Sequence, residues 1–177
     1  AVSVAVEQVL WLGFYTPSLL DWRVALDGAY GIREFFAPLQ DKAVQVVART
    51  RKDRVFYLRA DPTQYAGRGQ RTVFGEVFRC KDASSWGAPD QEEKFSDARH
   101  GSVELQLWRG LGFRRKGKFV EVEVIRSQIH AEKEKPPEAH WYVAYNGKKE
   151  QQIKVRQWYE TIAHRWGIEP ANRFRKE

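Results

Sequence analysis

The sequence contains no methionine and opens on Ala1, so it reads as a piece of a longer protein. A single cysteine, Cys80, excludes an internal disulfide and any cysteine-based zinc cage, because each needs at least two thiols. Four histidines, His100, His130, His140 and His164, are scattered without ligand spacing. No stretch approaches the ~18 consecutive apolar residues that a membrane-spanning helix needs. The start, AVSVAVEQVLWLGFY, lacks both a basic leader and a cleavage-site pattern, so a cytoplasmic location is expected. What is present is a chain of 177 residues, 42% hydrophobic and 30% charged, long enough to bury a sizeable core and excluded from general disorder. Thirty Lys and Arg against 23 Asp and Glu leave +7, which favours an acidic or phosphate-bearing partner over a neutral metabolite.

Apolar residues at helical spacing (Val6, Val9, Leu10, Phe14) predict a helix from about Val4 to Phe14, ended by Pro17. Arg23 to Leu26 read as a short strand running into Asp27-Gly28, Ile32 to Leu39 as a helix, and AVQVVA from Ala43 as a strand in the middle of a sheet. This order is α/β. Beyond Thr50 the texture changes to short β-rich runs: 55–58, 72–78, 102–108, 119–125 and 141–145. In KFVEVEVIRSQI the alternation of Val120, Val122 and Val124 with Glu121 and Glu123 marks a half-buried strand, and HWYVAY is its natural partner. Helical periodicity returns over Lys149 to Ile168. The predicted organisation is an α/β (α+β) unit over 1–49, a basic β-rich insert over 50–146 and a closing core helix in 147–177.

The positive charge is uneven. It gathers between Arg51 and Lys81 and again at Arg109, Arg114, Arg115, Lys116 and Lys118, while acids concentrate between Asp90 and Glu104. Interleaved aromatics (Tyr57, Tyr65, Trp86, Trp108, Phe113) suit a phosphate backbone with bases to stack on. A solvated face of β-hairpins accounts for the same letters.

Two carboxylates stand apart from the rest. Asp27 follows an apolar strand at its C-terminal end, where α/β folds place ligand sites, although a turn aspartate before glycine explains the same pair. In HRWGIEPANRFRKE, Arg165, Glu169, Arg173 and Lys176 fall within one quadrant of a helix, giving a carboxylate flanked by cations. Ordinary i,i+4 salt bridging would contribute only about 0.2–0.5 kcal/mol per pair. Pro170 removes a backbone donor beside the carboxylate and predicts a kink or restart there, which a helix meant only to pack seldom carries.

The string R-x3-E-x6-K at Arg165, Glu169 and Lys176, with the strand-ending DGAYG at Asp27, resembles the DDE transposases of bacterial insertion sequences. VVARTRKDRVFY and RWGIEP are similar to this group as well. Asp27 and Glu169 stand 142 residues apart, a separation filled by the β-rich stretch, as in members whose RNase H-like (retroviral integrase-like) core carries a β-rich insert before the final glutamate. The chain departs in two places: Ile162 occupies the tyrosine position three residues before Arg165, with Tyr159 the nearest tyrosine, and no strand upstream of Asp27 supplies a first aspartate. The resemblance therefore implies a partial core, truncated at both ends.

The resemblance further implies DNA transposition by metal-dependent strand cleavage and strand transfer at transposon ends. Two Mg2+ (or Mn2+) ions about 3.5 to 4 Å apart would be held by carboxylates including Asp27, as the second aspartate, and Glu169, as the final acid. Arg165, Arg173 and Lys176 would hold DNA phosphates near the scissile bond, with Arg114, Arg115 and Lys116 on the insert clamping the transposon end. Trp86 or Trp108 could stack on a displaced base, or simply fill the insert core. Partners would be transposon-end and target DNA, with a homodimer in the DNA complex and no membrane. With one acid missing, this polypeptide alone is expected to be inactive or nearly so. The alternatives are a non-catalytic DNA-binding remnant or domesticated module, and an RNase H-like nuclease unrelated to transposition.

Overall fold

A computed structural model of the chain describes residues 1–15, 23–61, 63, 73–97, 101–115, 118–130, 138–147 and 151–173. It is mixed α/β and mostly strand, the class expected from the sequence. Helix α1 (Val2–Tyr15) buries Ala5, Val6 and Val9, whereas Leu10 and Phe14, which share the predicted periodicity with Val6 and Val9, are half-buried and exposed. Strand β1 (Val24–Leu26) pairs in parallel with β2 (Gln45–Thr50). Between them the predicted Ile32–Leu39 helix is present in two parts. A single turn, α2 (Arg33–Phe36), tightens into a 3-10 turn at Ala37–Leu39, because Pro38 has no amide to continue the α pattern.

The β-rich stretch forms β3 (Val55–Arg59), β4 (Phe74–Arg79), β5 (Gln91–Asp97), β6 (Gly101–Arg115), β7 (Lys118–His130) and β8 (Glu138–Asn146). All eight strands lie in one sheet of order β1-β2-β8-β7-β6-β3-β4, with β5 paired to the first half of β6. Strand β2 pairs with β8 along the whole length of β2, from Gln45 opposite Asn146 to Thr50 opposite Trp141. The sheet is thus continuous across residue 50. The predicted β7–β8 pairing is present. Along β6 a bulge between Trp108 and Leu111, with Gly110 at φ 67°, separates the half paired to β5 from the half paired to β3.

Helix α3 (Val155–Arg173) runs as one helix through Pro170, which lies close enough to its end that one missing amide does not stop it. Strand alternation divides the interior into two layers. On one face Val46, Ala48, Phe56, Phe78, Val120, Val122, Val124, Trp141 and Val143 pack with α1 and α2. On the other, Val47, Leu105, Leu107, Ile125, Tyr142 and Ala144 pack with Val155, Trp158, Tyr159 and Ile162 of α3. The start of α3 is fixed by polar contacts to the sheet. Glu123 of β7 accepts from Trp158 Nε1 at 2.8 Å and from Arg109 Nε at 3.3 Å, and Arg109 also donates to the Ile153 carbonyl at 3.0 Å.

Candidate active site

Strand β1 ends at Leu26, and Asp27 caps the 3-10 turn Gly28–Tyr30, its Oδ1 accepting from the Gly28 amide at 2.5 Å while Tyr30 N donates to its carbonyl at 3.0 Å. A turn-capping aspartate and an exposed carboxylate at the C-terminal end of a parallel strand pair therefore coexist in one residue. Gly31 then lies directly on the end of β2: a Cβ at that position would stand 2.1 Å from the Arg49 carbonyl oxygen. Thr50 Oγ1 donates to the Gly31 carbonyl at 3.0 Å in a buried hydrogen bond. These contacts fix the Asp27 loop against β2.

Asp27 opens onto a cleft of about 650 Å³ formed where β1 and β2 end and β8 begins. Arg49, Arg51, Lys52 and Lys81 line it with Asp53 and His140, over a floor that includes Trp141. Arg49 donates to His140 Nδ1 at 3.1 Å, so that nitrogen is an acceptor and the imidazole proton is carried on Nε2. Asp53 is paired with Arg51 at 2.8 Å. The cleft thus carries four cations against two carboxylates, and it has the field of an anion site.

The charge of Arg51, Lys52 and Lys81 is plain in the sequence, but their convergence on Asp27 is not, since β4, β8 and the β2–β3 turn bring them together from distant positions. Asp53 and His140 carried no sequence signal beyond their types. Glu169, Arg165 and Arg173 lie on α3, but their side chains, together with Lys116 and Lys176, fall outside the described residues, as does the side chain of Arg115. Arg114 is described and exposed on β6. The link between the Asp27 strand and the Glu169 helix is explicit at one point, where Arg23 Nε, just before β1, donates to Thr161 Oγ1 of α3 at 3.1 Å. From that hydrogen bond Asp27 is four strand residues away, ~13 Å, and Glu169 two helical turns away, ~12 Å.

Several other candidates prove to be core. Tyr159 is buried, its ring 5.5 Å from Phe95, and burial pushes its hydroxyl up to about 12, while Ile162 packs in the same layer. The tyrosine position of the motif therefore faces the sheet. Trp108 is buried with Nε1 donating to the Gly87 carbonyl, and Trp86 packs on Phe78 and Trp141 with Nε1 donating to the Arg79 carbonyl, which is their insert-core role. Cys80 is buried with its thiol pushed up to about 12, chiefly by desolvation, so it is no nucleophile at neutral pH.

A hard divalent cation takes oxygen ligands, and the exposed carboxylate of Asp27 is one such ligand. Among the described residues no group of three His, Cys, Asp or Glu side chains is placed to hold a metal, so Asp27 needs further carboxylates from outside them. Among those residues, no helix is long and apolar enough to cross a membrane. No curated protein matches the chain. The family described as DDE superfamily endonuclease matches residues 5–115, well over half of the chain and including Asp27 and most of its cationic cleft, and the chain belongs to that family.

Proposed function

We propose that this chain carries part of the catalytic core of a DDE transposase, cutting and joining DNA at transposon ends, with Asp27 and Glu169 as two of its acidic metal ligands. The observation that carries the reading is the cleft: a carboxylate at the C-terminal end of the parallel pair β1/β2, walled by Arg49, Arg51, Lys52 and Lys81. Endonucleases of this superfamily act on DNA and generally use divalent metals. When bound, Mg2+ or Mn2+ supplies activation of the attacking oxygen and stabilisation of the leaving one.

The protein's own share is positioning. Arg49, held by His140, and Lys81 present donors to DNA phosphates on the wall, and the Gly31–Thr50 contact keeps Asp27 at their level. Lys52 adds charge at the mouth. Helix α3 is tied to β1 through Arg23 and Thr161, and it would deliver Glu169 to the same end of the sheet, with Arg165, Arg173 and Lys176 as phosphate contacts. The 50–146 segment is read as an insert that widens the core sheet and adds DNA-binding surface. Two copies would hold paired ends.

A net positive cleft repels a bare divalent cation, so metal and DNA phosphate should load together, each lowering the charge the other meets. In the full-length protein, Asp27→Asn and Glu169→Gln should each abolish Mg2+-dependent cleavage of transposon-end duplex while end binding stays largely intact. Cleavage by either variant at the wild-type rate, or loss of DNA binding, would remove the metal role. A non-catalytic DNA-binding module would instead bind DNA with Mg2+-independent affinity and cleave nothing in the full-length form.

A further inference from the structure

Outside the cleft, two arginines on the α3 side of the sheet reach across neighbouring strands in opposite directions. Arg59 projects from β3 over β6 to place its guanidinium 4.6 Å from the centre of the Phe119 ring on β7. Arg114 projects from β6 over β3 to lie 5.3 Å from the centre of the Phe74 ring on β4. The two rings are themselves 6.2 Å apart, so both cations rest on one aromatic pair.

The platform is set by the backbone. The Phe119 ring reaches over Gly112, where a Cβ would come within 2.7 Å of two ring atoms. The register shift between Tyr57 and Arg59, with Gly75 in the bulged stretch, turns Phe74 onto the same face as Tyr57, whose ring is 5.7 Å away. Phe119 is half-buried, with the distal edge of its ring over Gly112 and the Arg59 guanidinium already over the ring. Its role is to fix a guanidinium, whose planar fork then loses little freedom on binding an anion.

Charge points the same way. Among the described residues the partner of Arg59 is Glu121 at 3.4 Å, and that one carboxylate does not balance two guanidiniums. Holding like charges over one pair of rings is unfavourable until an anion bridges them.

We infer that Arg59 and Arg114, braced on Phe119 and Phe74, form a clamp for the phosphate backbone of duplex DNA flanking the segment held in the catalytic cleft. This rests on the reading of the chain as DNA-acting, not on the role of Asp27 or Glu169. Duplex is favoured because each half-buried ring is already engaged by a guanidinium, so the charge, and not an open aromatic face, is what the pair presents to a ligand.

The test is fluorescence anisotropy with a labelled duplex of about three helical turns, titrated at NaCl concentrations between about 50 and 200 mM. The Arg59→Ala/Arg114→Ala double variant should bind at least about tenfold more weakly, with the slope of log K against log salt reduced by about 2, the value for two lost phosphate contacts. Phe74→Leu/Phe119→Leu, which changes no charge, should lose a substantial part of the same affinity, and Arg59→Lys/Arg114→Lys should not restore it fully. Melting temperatures measured alongside identify any unfolded variant, and the lysine pair, with the gentlest change to packing, keeps the proposal testable.

Unchanged affinity and slope in the alanine pair would overturn the clamp. So would full rescue by lysine, which would mean diffuse charge only, or an equal loss on single-stranded DNA of the same length. Complete competition by millimolar inorganic phosphate would overturn the duplex assignment in favour of a small-anion site. Wild-type binding by Asp27→Asn with no cleavage by any form would count against the catalytic reading and leave the clamp standing.

Discussion

Gly31→Ala is the substitution that most directly couples the fold to the site. Gly31 has φ −72°, a value open to any residue, so the constraint is space rather than conformation. The added Cβ would meet the Arg49 carbonyl oxygen at 2.1 Å, its carbon at 2.9 Å and Thr50 Cα at 3.0 Å. Relief to an ordinary contact needs a shift of roughly 1.3 Å. The obstructing atoms are backbone of β2, held between β1 and β8, and they cannot give way. The loop carrying Asp27 must move outward instead, breaking the buried bond from Thr50 Oγ1 to the Gly31 carbonyl.

Overpacking of this kind costs about 1–3 kcal/mol and the lost hydrogen bond about 1 more. For a chain of this size that corresponds to a fall in Tm of about 4–16 °C. Displacing the Asp27 carboxylate by ~1 Å should lower cleavage by about 10²-fold, even in samples held well below the melting temperature. Circular-dichroism melting and Mg2+-dependent cleavage by the full-length protein read the two effects separately. Gly87→Ala is the control, since nothing stands within 4 Å of its Cβ position. If Gly31→Ala melts and cleaves like the Gly87 control, the account of how Asp27 is positioned is wrong.

Burial raises the Glu123 carboxyl above its ordinary value of 4.5, with Trp158 and Arg109 pulling it back only in part. The folded protein therefore holds this proton more tightly than the unfolded chain. The stability it contributes is fully present below 4.5 and is lost as pH rises through the folded value. Glu123→Gln should thus gain on wild type as pH rises from below 4.5 toward neutral, and urea unfolding curves that stay parallel across that range would refute the coupling. Trp158→Phe strips Glu123 of its indole donor and leaves part of a fully buried site empty, and should cost at least about 1–3 kcal/mol, read as a lower urea midpoint with unchanged slope. Neutralising Arg49 and Lys81 together should weaken duplex binding and make its salt dependence shallower by about 2 in slope, whereas an unchanged slope would remove them from the phosphate wall.

Much of the fold was legible because its signals are local. The spacing of Val6 and Val9, the β-branched run that became β2 and the alternation in β7 each follow from which faces are buried, and each element formed where its pattern lay. The misses have physical causes. Strand β5, QEEKFSD, is too polar to announce itself, because it lies along the side of β6 with its residues alternately half-buried and exposed, and it gains its place from main-chain pairing rather than from its own apolar content. The β-rich run read from the sequence stops at Trp108, short of the two glycines at 110 and 112. Instead Gly110 makes a bulge that redirects pairing from β5 to β3, and Gly112 accepts the Phe119 ring, so the strand continues to Arg115.

The site divides along the same line. Asp27 could be singled out because the end of an apolar strand is a local feature, but its neighbours could not, since Arg49, Lys52, Lys81 and His140 become neighbours only after β8 has paired with β2 and β4 with β3. Composition recorded the excess of positive charge without saying where it would be needed. Folding supplies that answer through register: pairing Thr50 with Trp141 brings His140 within reach of Arg49, and the close packing of Gly31 on Arg49 sets Asp27 beside both. A one-residue slip of β8 against β2 would turn His140 to the opposite face and bury its polar ring in the aromatic layer. The hydrophobic alternation that fixes Trp141, Val143 and Tyr145 inward is therefore the same constraint that assembles the cationic wall around Asp27.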